Sequence, residues 1–243
     1  MIDLSREDAV FTLTMNAGEN RWNLAFVRAF SAALDDVEAQ LAEQEGPASL
    51  VTCSTDAKFF SNGLDLDWIG DLADSDPDGE REAFGEEFMA LMGRIITFPI
   101  PTIAAISGHA FGAGMMCSMC HDVRIMRADR GFLCANEMQI GFRIPTPELA
   151  LFRHKLSGAA FFETVQLAKR WTGESALAAG VVQQIASFED LPAMARGTAD
   201  QLAPLGANRA LYGEQKERLF GEHAVLDGPH GAAHMLKHSA AYH

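Results

Sequence analysis

Residues 102–126 read TIAAISGHAFGAGMMCSMCHDVRIM, and this stretch decides the fold. It begins with an apolar run at 102–107 that is typical of a buried strand, and it breaks at three closely spaced glycines. A helix is predicted to start after Gly114, and residues 122–128 return to a strand-like pattern. Two strands joined through a glycine turn and a helix favour parallel pairing in an α/β fold.

The segments on either side continue this alternation of strands and helices. Periodicity predicts strands at 9–16 and 49–54 and helices at 26–44 and 80–98. Residues 71–82 contain so many Asp, Gly and Pro residues that we expect irregular structure there. From about Pro147 onward the strand pattern fades, and helices broken by Gly or Pro follow one another to the end of the chain.

Composition limits the classes of function. A chain of 243 residues with 48% hydrophobic residues can bury a large core. The formal net charge of -14 argues against nucleic acid or an anionic membrane as partners, because both carry negative charge. No apolar run approaches the roughly 20 residues of a membrane helix, and the opening MIDLSREDAV lacks the pattern of an export signal. These features predict a cytoplasmic location.

The cysteines and the late histidines are two further candidate sites. Cys117, Cys120 and His121 match the C-x-x-C-H pattern of haem attachment, but haem attachment needs export and the chain shows no second ligand cluster. We therefore interpret them as residues of a core helix and predict no metal site. Five histidines in the Gly- and Ala-rich tail have irregular spacing, which favours a flexible or packing end over a metal cluster; they are His223, His230, His234, His238 and His243.

Two glycine turns are the strongest functional signal. They are FFSNGLDL at 59–66 and GHAFGAG at 108–114, and each follows a predicted strand. In the second turn the chain passes directly into a helix, whose first N–H groups have no partner inside the helix. Two such turns facing one another would form an oxyanion hole; the alternative is a pair of ordinary tight turns. Neither turn has the spacing of a dinucleotide-binding or nucleoside triphosphate loop.

The order and spacing of these motifs resemble the crotonase superfamily of enoyl-CoA hydratases and isomerases. The resemblance extends through Asp122, Asn136 and Glu137 into the helical tail. It implies an α/β fold with a crotonase-like ββα spiral core at 1–195 and a C-terminal helical trimerisation region at 196–243. It further implies a homotrimer or dimer of trimers and an acyl-CoA thioester substrate. Coenzyme A would be part of that substrate, so no separate cofactor is expected.

The resemblance also implies roles for individual residues. The backbone N–H groups of Leu64 and Ala113 would hold the thioester oxygen, although family members usually have glycine at the second position. Glu137 matches the family's catalytic glutamate. The second family acid lies three residues after the oxyanion glycine, where this chain has Met116. Implied contacts with the CoA portion involve five residues: Arg21, Trp22, Leu64, Asp65 and Leu66.

One glutamate suffices to move a double bond. Glu137 could take the C2 proton of a 3-enoyl-CoA, leave a dienolate in the oxyanion hole and return the proton to C4. The sequence around the motifs is similar to that of the plant and peroxisomal isomerases of the superfamily. Met116 likewise favours an isomerase over a hydratase. The alternatives are a hydratase that uses Glu148, another crotonase-type enzyme, or a non-catalytic acyl-CoA-binding homologue. His109, beside the second turn, is interpreted as a packing residue.

Overall fold

The computed structural model describes residues 1–76, 79–221 and 231–242. Its strands are β1 (Ile2–Glu7), β2 (Val10–Met15), β3 (Ser49–Ser54), β4 (Phe59–Ser61), β5 (Thr102–Ile106), β6 (His109–Phe111), β7 (Val123–Arg127), β8 (Leu133–Cys134) and β9 (Gln184–Ala186). Its α-helices are α1 (Leu24–Glu43), α2 (Leu66–Asp74), α3 (Glu80–Ile96), α4 (Ala113–Cys120), α5 (Glu137–Ile140), α6 (Thr146–Lys155), α7 (Gly158–Val165), α8 (Gly173–Ala178), α9 (Leu191–Leu202), α10 (Arg209–Phe220) and α11 (Ala232–Lys237). Two 3₁₀ turns follow α9 and α11, at Ala203–Ala207 and Ser239–Tyr242.

The larger sheet confirms the predicted α/β class. Its six strands run in the order β1-β2-β3-β5-β7-β9; β1 and β2 are antiparallel, and every other pair is parallel. The central strand β5 is buried at all five positions, which explains why its sequence is a continuous apolar run instead of an alternating one. The predicted strands at 9–16, 49–54, 102–107 and 122–128 are β2, β3, β5 and β7.

Alternate side chains of the large sheet build two separate cores. On β5, Ile103 and Ala105 join a cluster with Leu191 and Ala195 of α9. Ala104 and Ile106 point the other way, into the main core that α1, α3 and α4 cover. Successive side chains of a strand face opposite sides of the sheet, so one apolar run supplies both cores.

A second, smaller sheet carries the features that matter for function. Its strands β4, β6 and β8 have only two or three residues each and are all parallel, with β6 in the middle. Phe59 pairs with His109, and Phe111 pairs with Cys134. Because parallel strands end at the same edge of a sheet, the segments that follow these three strands come out side by side.

Several elements differ from the sequence-based expectations. Residues 71–74 continue α2, and α3 already begins at Glu80, so the acidic segment is more helical than predicted; Pro77 and Asp78 lie outside the described residues. Strand β9 interrupts the C-terminal third that we expected to be helical throughout. The boundary between residues 195 and 196 falls inside α9. Across the described ranges, every helix is too short or too polar to cross a bilayer.

Candidate active site

The small sheet brings the two glycine turns together. The turn at Asn62-Gly63-Leu64 follows β4, and Gly112 follows β6. Gly63 has φ of +83° and Gly112 has φ of +48°, both in the region that favours glycine. A methyl group on Gly63 would lie 2.8 Å from the carbonyl oxygen of Phe111 and 3.9 Å from the backbone nitrogen of Ala113. Only glycine allows the two turns to approach this closely.

Two backbone N–H groups at these turns have no acceptor among the described residues. The N–H of Trp22 donates to Gly63 and that of Asp65 donates to Trp22, whereas the intervening N–H of Leu64 has no acceptor in the described part of the chain. Ala113 is the first residue of α4, and its N–H likewise has no acceptor there. The first N–H groups of a helix lack internal partners, and the helix dipole favours negative charge at that end. Leu64 and Ala113 therefore have the positions expected of oxyanion donors.

Glu137 lies beside the second glycine turn and follows β8, the third strand of the small sheet. It is the first residue of α5, three positions after β8. Its Oε1 would be 3.0 Å from a methyl group on Gly112, so the carboxyl group lies directly against the second glycine turn. Its Oε2 is buried without a hydrogen-bond partner among the described residues. Burial raises the pKa of Glu137 above its ordinary value, which suits a group that must accept a proton near neutral pH.

A cavity of about 310 Å³ opens in front of these groups. Leu64, Ala113 and Glu137 all line it. Its other walls are mainly apolar and include Leu66, Phe84, Phe88, Met89, Ile140 and Phe142. Such a cavity excludes water and suits a hydrocarbon chain whose polar end meets a few fixed donors. It is the place where a thioester oxygen could meet Leu64 and Ala113 while its neighbouring carbon meets Glu137.

Met116 lines this cavity where the resemblance implies an acid. It lies one turn into α4, is 1% exposed and packs in the main core. The thioether can neither donate nor accept a proton at neutral pH. The carboxylate that would position water from this helix is therefore replaced by an apolar wall.

A second carboxyl group reaches the cavity from elsewhere. Glu148, in the first turn of α6, is 4% exposed and lines the cavity together with Glu137 and Met116. Its Oε1 is buried and has no hydrogen-bond partner in the described structure. Burial, reinforced by the charge of Glu137, raises the pKa of Glu148 well above its ordinary value. The sequence offered Glu148 only as an alternative; the signal was a lone acid in an apolar helical run, PELALF.

The residues expected to touch the CoA portion have different surroundings. Leu64 and Leu66 line the cavity. The carboxylate of Asp65 caps α2 by accepting from the N–H of Trp68, and it also accepts from Asn23. Arg21 forms ion pairs with Glu19 at 2.7 Å and with Asp67 at 2.9 Å.

Trp22 has its side chain in the core. Its side chain is completely buried and packs against the rings of Phe26, Phe30 and Phe88, so the indole faces the core and is not exposed to a ligand at the surface. Its backbone, in contrast, pairs with the turn around Leu64. The backbone of Trp22 thus connects the aromatic cluster to the first glycine turn.

The remaining candidates lie away from the cavity walls. His109 stacks on Phe111 with ring centroids 5.1 Å apart and also contacts Phe59 and Phe132, in keeping with a packing role. Cys117 and Cys120 are buried in α4, and His121 contacts Thr52 and the carbonyl of Cys117. His234 lies in α11 and His238 follows it, with ring centroids 4.5 Å apart, whereas His223, His230 and His243 lie outside the described residues. Among the described residues, no cluster of His, Cys, Asp and Glu has the arrangement of a metal site.

Comparison with known proteins shows which sequences and folds are similar to this chain. The family model described as enoyl-CoA hydratase/isomerase matches residues 5–216. The peroxisomal enoyl-CoA delta isomerase 1 of Arabidopsis thaliana is 30% identical over 225 residues, which cover 91% of this chain and 90% of that protein. A carnitinyl-CoA dehydratase of Salmonella enteritidis is 29% identical over 212 residues, covering 84% of this chain and 76% of the relative.

A solved structure shares the whole fold. An enoyl-CoA hydratase/isomerase family protein from Pseudomonas syringae superposes with a TM-score of 0.83 at 26% identity, over 100% of this chain and 97% of the other. The family match covers most of the sequence, and the structural match covers both sheets and the C-terminal helices. On these grounds the chain belongs to the crotonase superfamily of enoyl-CoA hydratases and isomerases.

Proposed function

We propose that this protein is an enoyl-CoA delta isomerase that moves the double bond of a 3-enoyl-CoA to the 2-position. The observation that carries the proposal is the contact between the Glu137 carboxyl group and Gly112, beside the free N–H of Ala113. A base that lies against the turn carrying an oxyanion donor is what proton removal next to a thioester carbonyl requires.

The reaction follows from this arrangement. Glu137 takes a proton from C2, and the resulting negative charge moves to the thioester oxygen, where the N–H groups of Leu64 and Ala113 stabilise it. A fixed donor of this kind lowers the barrier by about 3 kcal/mol. The dienolate is then protonated at C4, which leaves the double bond between C2 and C3. Since both carbons can lie on one side of an extended acyl chain, a single carboxylate can carry the proton between them.

Met116 favours isomerisation over hydration. Adding water to a 2-enoyl-CoA requires a group that orients and activates the water, and the wall that α4 contributes to the cavity is apolar at Met116. The Arabidopsis relative named an enoyl-CoA delta isomerase matches over nine-tenths of this chain, which supports the same choice.

Hydration of 2-enoyl-CoA is the second candidate function. The specific observation in its favour is Glu148, a carboxyl group that lines the same cavity as Met116. With Glu137 it would supply the two acid–base groups that addition of water needs. A third possibility, an acyl-CoA-binding homologue without activity, would use the same apolar cavity and donors.

The proposal extends to the rest of the substrate and to the assembly. We assign the thioester to Leu64 and Ala113 and the adjoining pantetheine to Leu66; Arg21, with 36% of its side chain exposed, is a proposed phosphate contact. Coenzyme A arrives as part of the substrate, so no separate cofactor is proposed. We further propose a homotrimer or a dimer of trimers, and a cytoplasmic location as expected from the sequence.

One pair of assays separates the three functions. Purified protein is incubated with 3-enoyl-CoA and, separately, with 2-enoyl-CoA, and the products are identified by mass and chromatography. Conversion of the first substrate without hydration of the second is the expected result. Rapid hydration with slow isomerisation would favour the second candidate, and binding of both thioesters without any turnover would favour the third.

A further inference from the structure

Glu148 is a buried acid whose Oε1 has no hydrogen-bond partner among the described residues. Its Oε1 makes no hydrogen bond to any described residue, and no ion pair involves this side chain in the described structure. Burial of a polar group without a hydrogen bond destabilises the folded protein. Helix α6 could bury an apolar residue at this position at no such cost. The carboxyl group is therefore not explained by packing, and its exposure to the cavity points to a role there.

The surroundings of Glu148 favour its protonated form. Besides Glu137 and Glu148, Arg143 is the ionisable side chain on the described cavity wall, and it is exposed at the rim. Behind Glu148, the thiol of Cys120 on α4 is buried, and burial raises its pKa well above the ordinary value, so it stays neutral. Among the described residues that line the cavity, no cation in its interior balances a second negative charge. Two carboxyl groups in one desolvated cavity disfavour each other's ionisation, which favours a pair that shares one proton.

Deeper burial favours placing the shared proton on Glu148 and not on Glu137. Glu148 is more deeply buried than Glu137, and the charge of Glu137 acts on it in addition to burial, so its pKa is raised well above that of a free glutamate. Glu137, at the edge of the second glycine turn, then carries the negative charge. The two groups thus have opposite protonation states, which is the usual arrangement of a base and an acid that act in the same reaction.

We propose that Glu148 is a second catalytic residue of this site, which donates its proton to C4 of the dienolate after Glu137 has removed the proton from C2. The inference rests on the proposed isomerisation. In the first step the C2–H bond breaks, its proton binds the Glu137 carboxylate and its electron pair enters the dienolate. In the second step the O–H bond of Glu148 breaks and the dienolate electrons form the C4–H bond. Transfer of the proton from Glu137 to Glu148 restores the starting state, without any other reactant.

This mechanism replaces the missing acid of α4 with an acid from α6. Met116 and Glu148 line the same cavity from two helices that pack against each other. A single-carboxylate mechanism differs from it in one measurable respect, the origin of the proton at C4. In the single-carboxylate case that proton comes from C2 of the substrate. In the two-carboxyl case it comes from Glu148, which exchanges with solvent before the substrate binds.

A single turnover in deuterated water shows whether the proton added at C4 comes from Glu148 or from C2 of the substrate. Excess wild-type protein is equilibrated in D₂O and mixed with unlabelled 3-enoyl-CoA, and the product is analysed by mass spectrometry and NMR. We expect one deuterium at C4 of each product molecule. Retention of the original C2 proton at C4 in the wild-type protein would overturn the proposal without recourse to any variant.

Glu148→Gln keeps the shape of the side chain and removes the transferable proton. We expect the isomerisation rate to fall by roughly 10²- to 10⁴-fold, the contribution of a positioned acid, with the remaining product keeping its C2 proton at C4. The matched control is Glu174→Gln, an exposed glutamate in the first turn of α8, which should leave rate and labelling unchanged. Wild-type rate and deuterium content in Glu148→Gln would exclude Glu148 as the donor.

Infrared spectroscopy separates this proposal from the proposed function. At neutral pH the wild-type protein should show the C=O stretch of a protonated carboxyl group, which Glu148→Gln loses and Glu174→Gln keeps. If that band is present but 3-enoyl-CoA is not isomerised, the proton-sharing pair stands and the proposed function is wrong. If isomerisation occurs and the band is unaffected by Glu148→Gln, the function stands and the role of Glu148 is wrong.

Discussion

Gly112 and Glu137 are so close that a methyl group on Gly112 would lie 3.0 Å from Oε1 of Glu137. The two residues are 25 positions apart in the chain. They meet because β6 and β8 pair in parallel. Strand β6 ends directly before Gly112, and β8 ends shortly before Glu137. One contact therefore links the oxyanion turn to the proposed base, and substitutions on either side of it should affect the same step.

Gly112→Ala tests this contact. The added methyl group presses on Oε1 of Glu137, and alanine is strained at φ of +48°, so we expect a large loss of kcat with the fold retained. The matched control is Gly180→Ala, because Gly180 has φ of +72° and open space around it. It should cost about 1–2 kcal/mol of stability from strain but leave kcat unchanged. Equal kcat in both variants would contradict a functional contact.

Ala113→Pro tests the second oxyanion donor. Ala113 is the first residue of α4, a position that tolerates proline because the N–H there is not used by the helix. The variant should therefore fold, as circular dichroism can verify, while kcat falls by roughly 10²- to 10³-fold because one donor to the oxyanion is lost. Turnover at the wild-type rate in the folded variant would remove Ala113 from the mechanism.

Glu137→Gln tests the base. The amide keeps the shape of the side chain but cannot accept the C2 proton, so isomerisation should fall by about 10²- to 10⁴-fold or more. Acyl-CoA binding, measured by calorimetry, should persist because Leu64, Ala113 and the apolar walls are unchanged. An unaltered isomerisation rate would show that another group takes the proton.

Glu148 should make stability depend on pH. The pKa of Glu148 is higher in the folded protein than in the unfolded chain. Above the ordinary pKa range of glutamate, the folded state therefore binds more protons at this side chain than the unfolded state does. The contribution of Glu148 to the free energy of unfolding is complete below the pKa that this group has in the unfolded chain. It is lost as the pH rises through the pKa that the group has in the folded protein. Glu137, whose pKa is also raised, adds a change of the same sign.

The measurement is thermal or urea unfolding of wild-type protein and Glu148→Gln between about pH 5 and pH 8. Wild-type stability should decline relative to the variant across this range, since only the wild-type protein must bury a second carboxylate or keep it protonated at high pH. The difference in stability between the wild-type protein and the variant cancels the titration of other buried groups. One such group is Lys155, because burial lowers its pKa to about 8. A difference that does not vary with pH would show that the pKa of Glu148 is not raised.

Sedimentation velocity at micromolar concentration tests the proposed assembly. Large apolar side chains are exposed beside the cavity on Met138, Ile140 and Phe142, and another is exposed on Phe162. Exposed apolar groups of this size favour association, and the family resemblance favours a trimer. We expect the mass of a trimer or hexamer; a monomer at this concentration would contradict the proposal.

The sequence by itself determined the elements that are long enough to show a period. The helices at 26–44 and 80–98 and the buried strand at 102–107 appear within two residues of their predicted bounds, as α1, α3 and β5. The two glycine turns could also be predicted from the sequence, because few residues other than glycine adopt a backbone conformation with positive φ. Together they were enough to identify the family and its proposed oxyanion donors.

Only the tertiary structure decided how the site is assembled. Strands β4, β6 and β8 are too short to show a period, and they exist because they pair with partners far away in the chain. Trp22 faces the core because an aromatic cluster from α1 and α3 surrounds it, which its own sequence neighbours do not reveal. Glu148 enters the cavity because α6 packs on α4, a long-range contact between two helices whose sequences each show only a local pattern. Local periodicity determines which segments become helices or strands, whereas the meeting of Glu137 and Glu148 in one cavity depends on contacts that exist only in the folded chain.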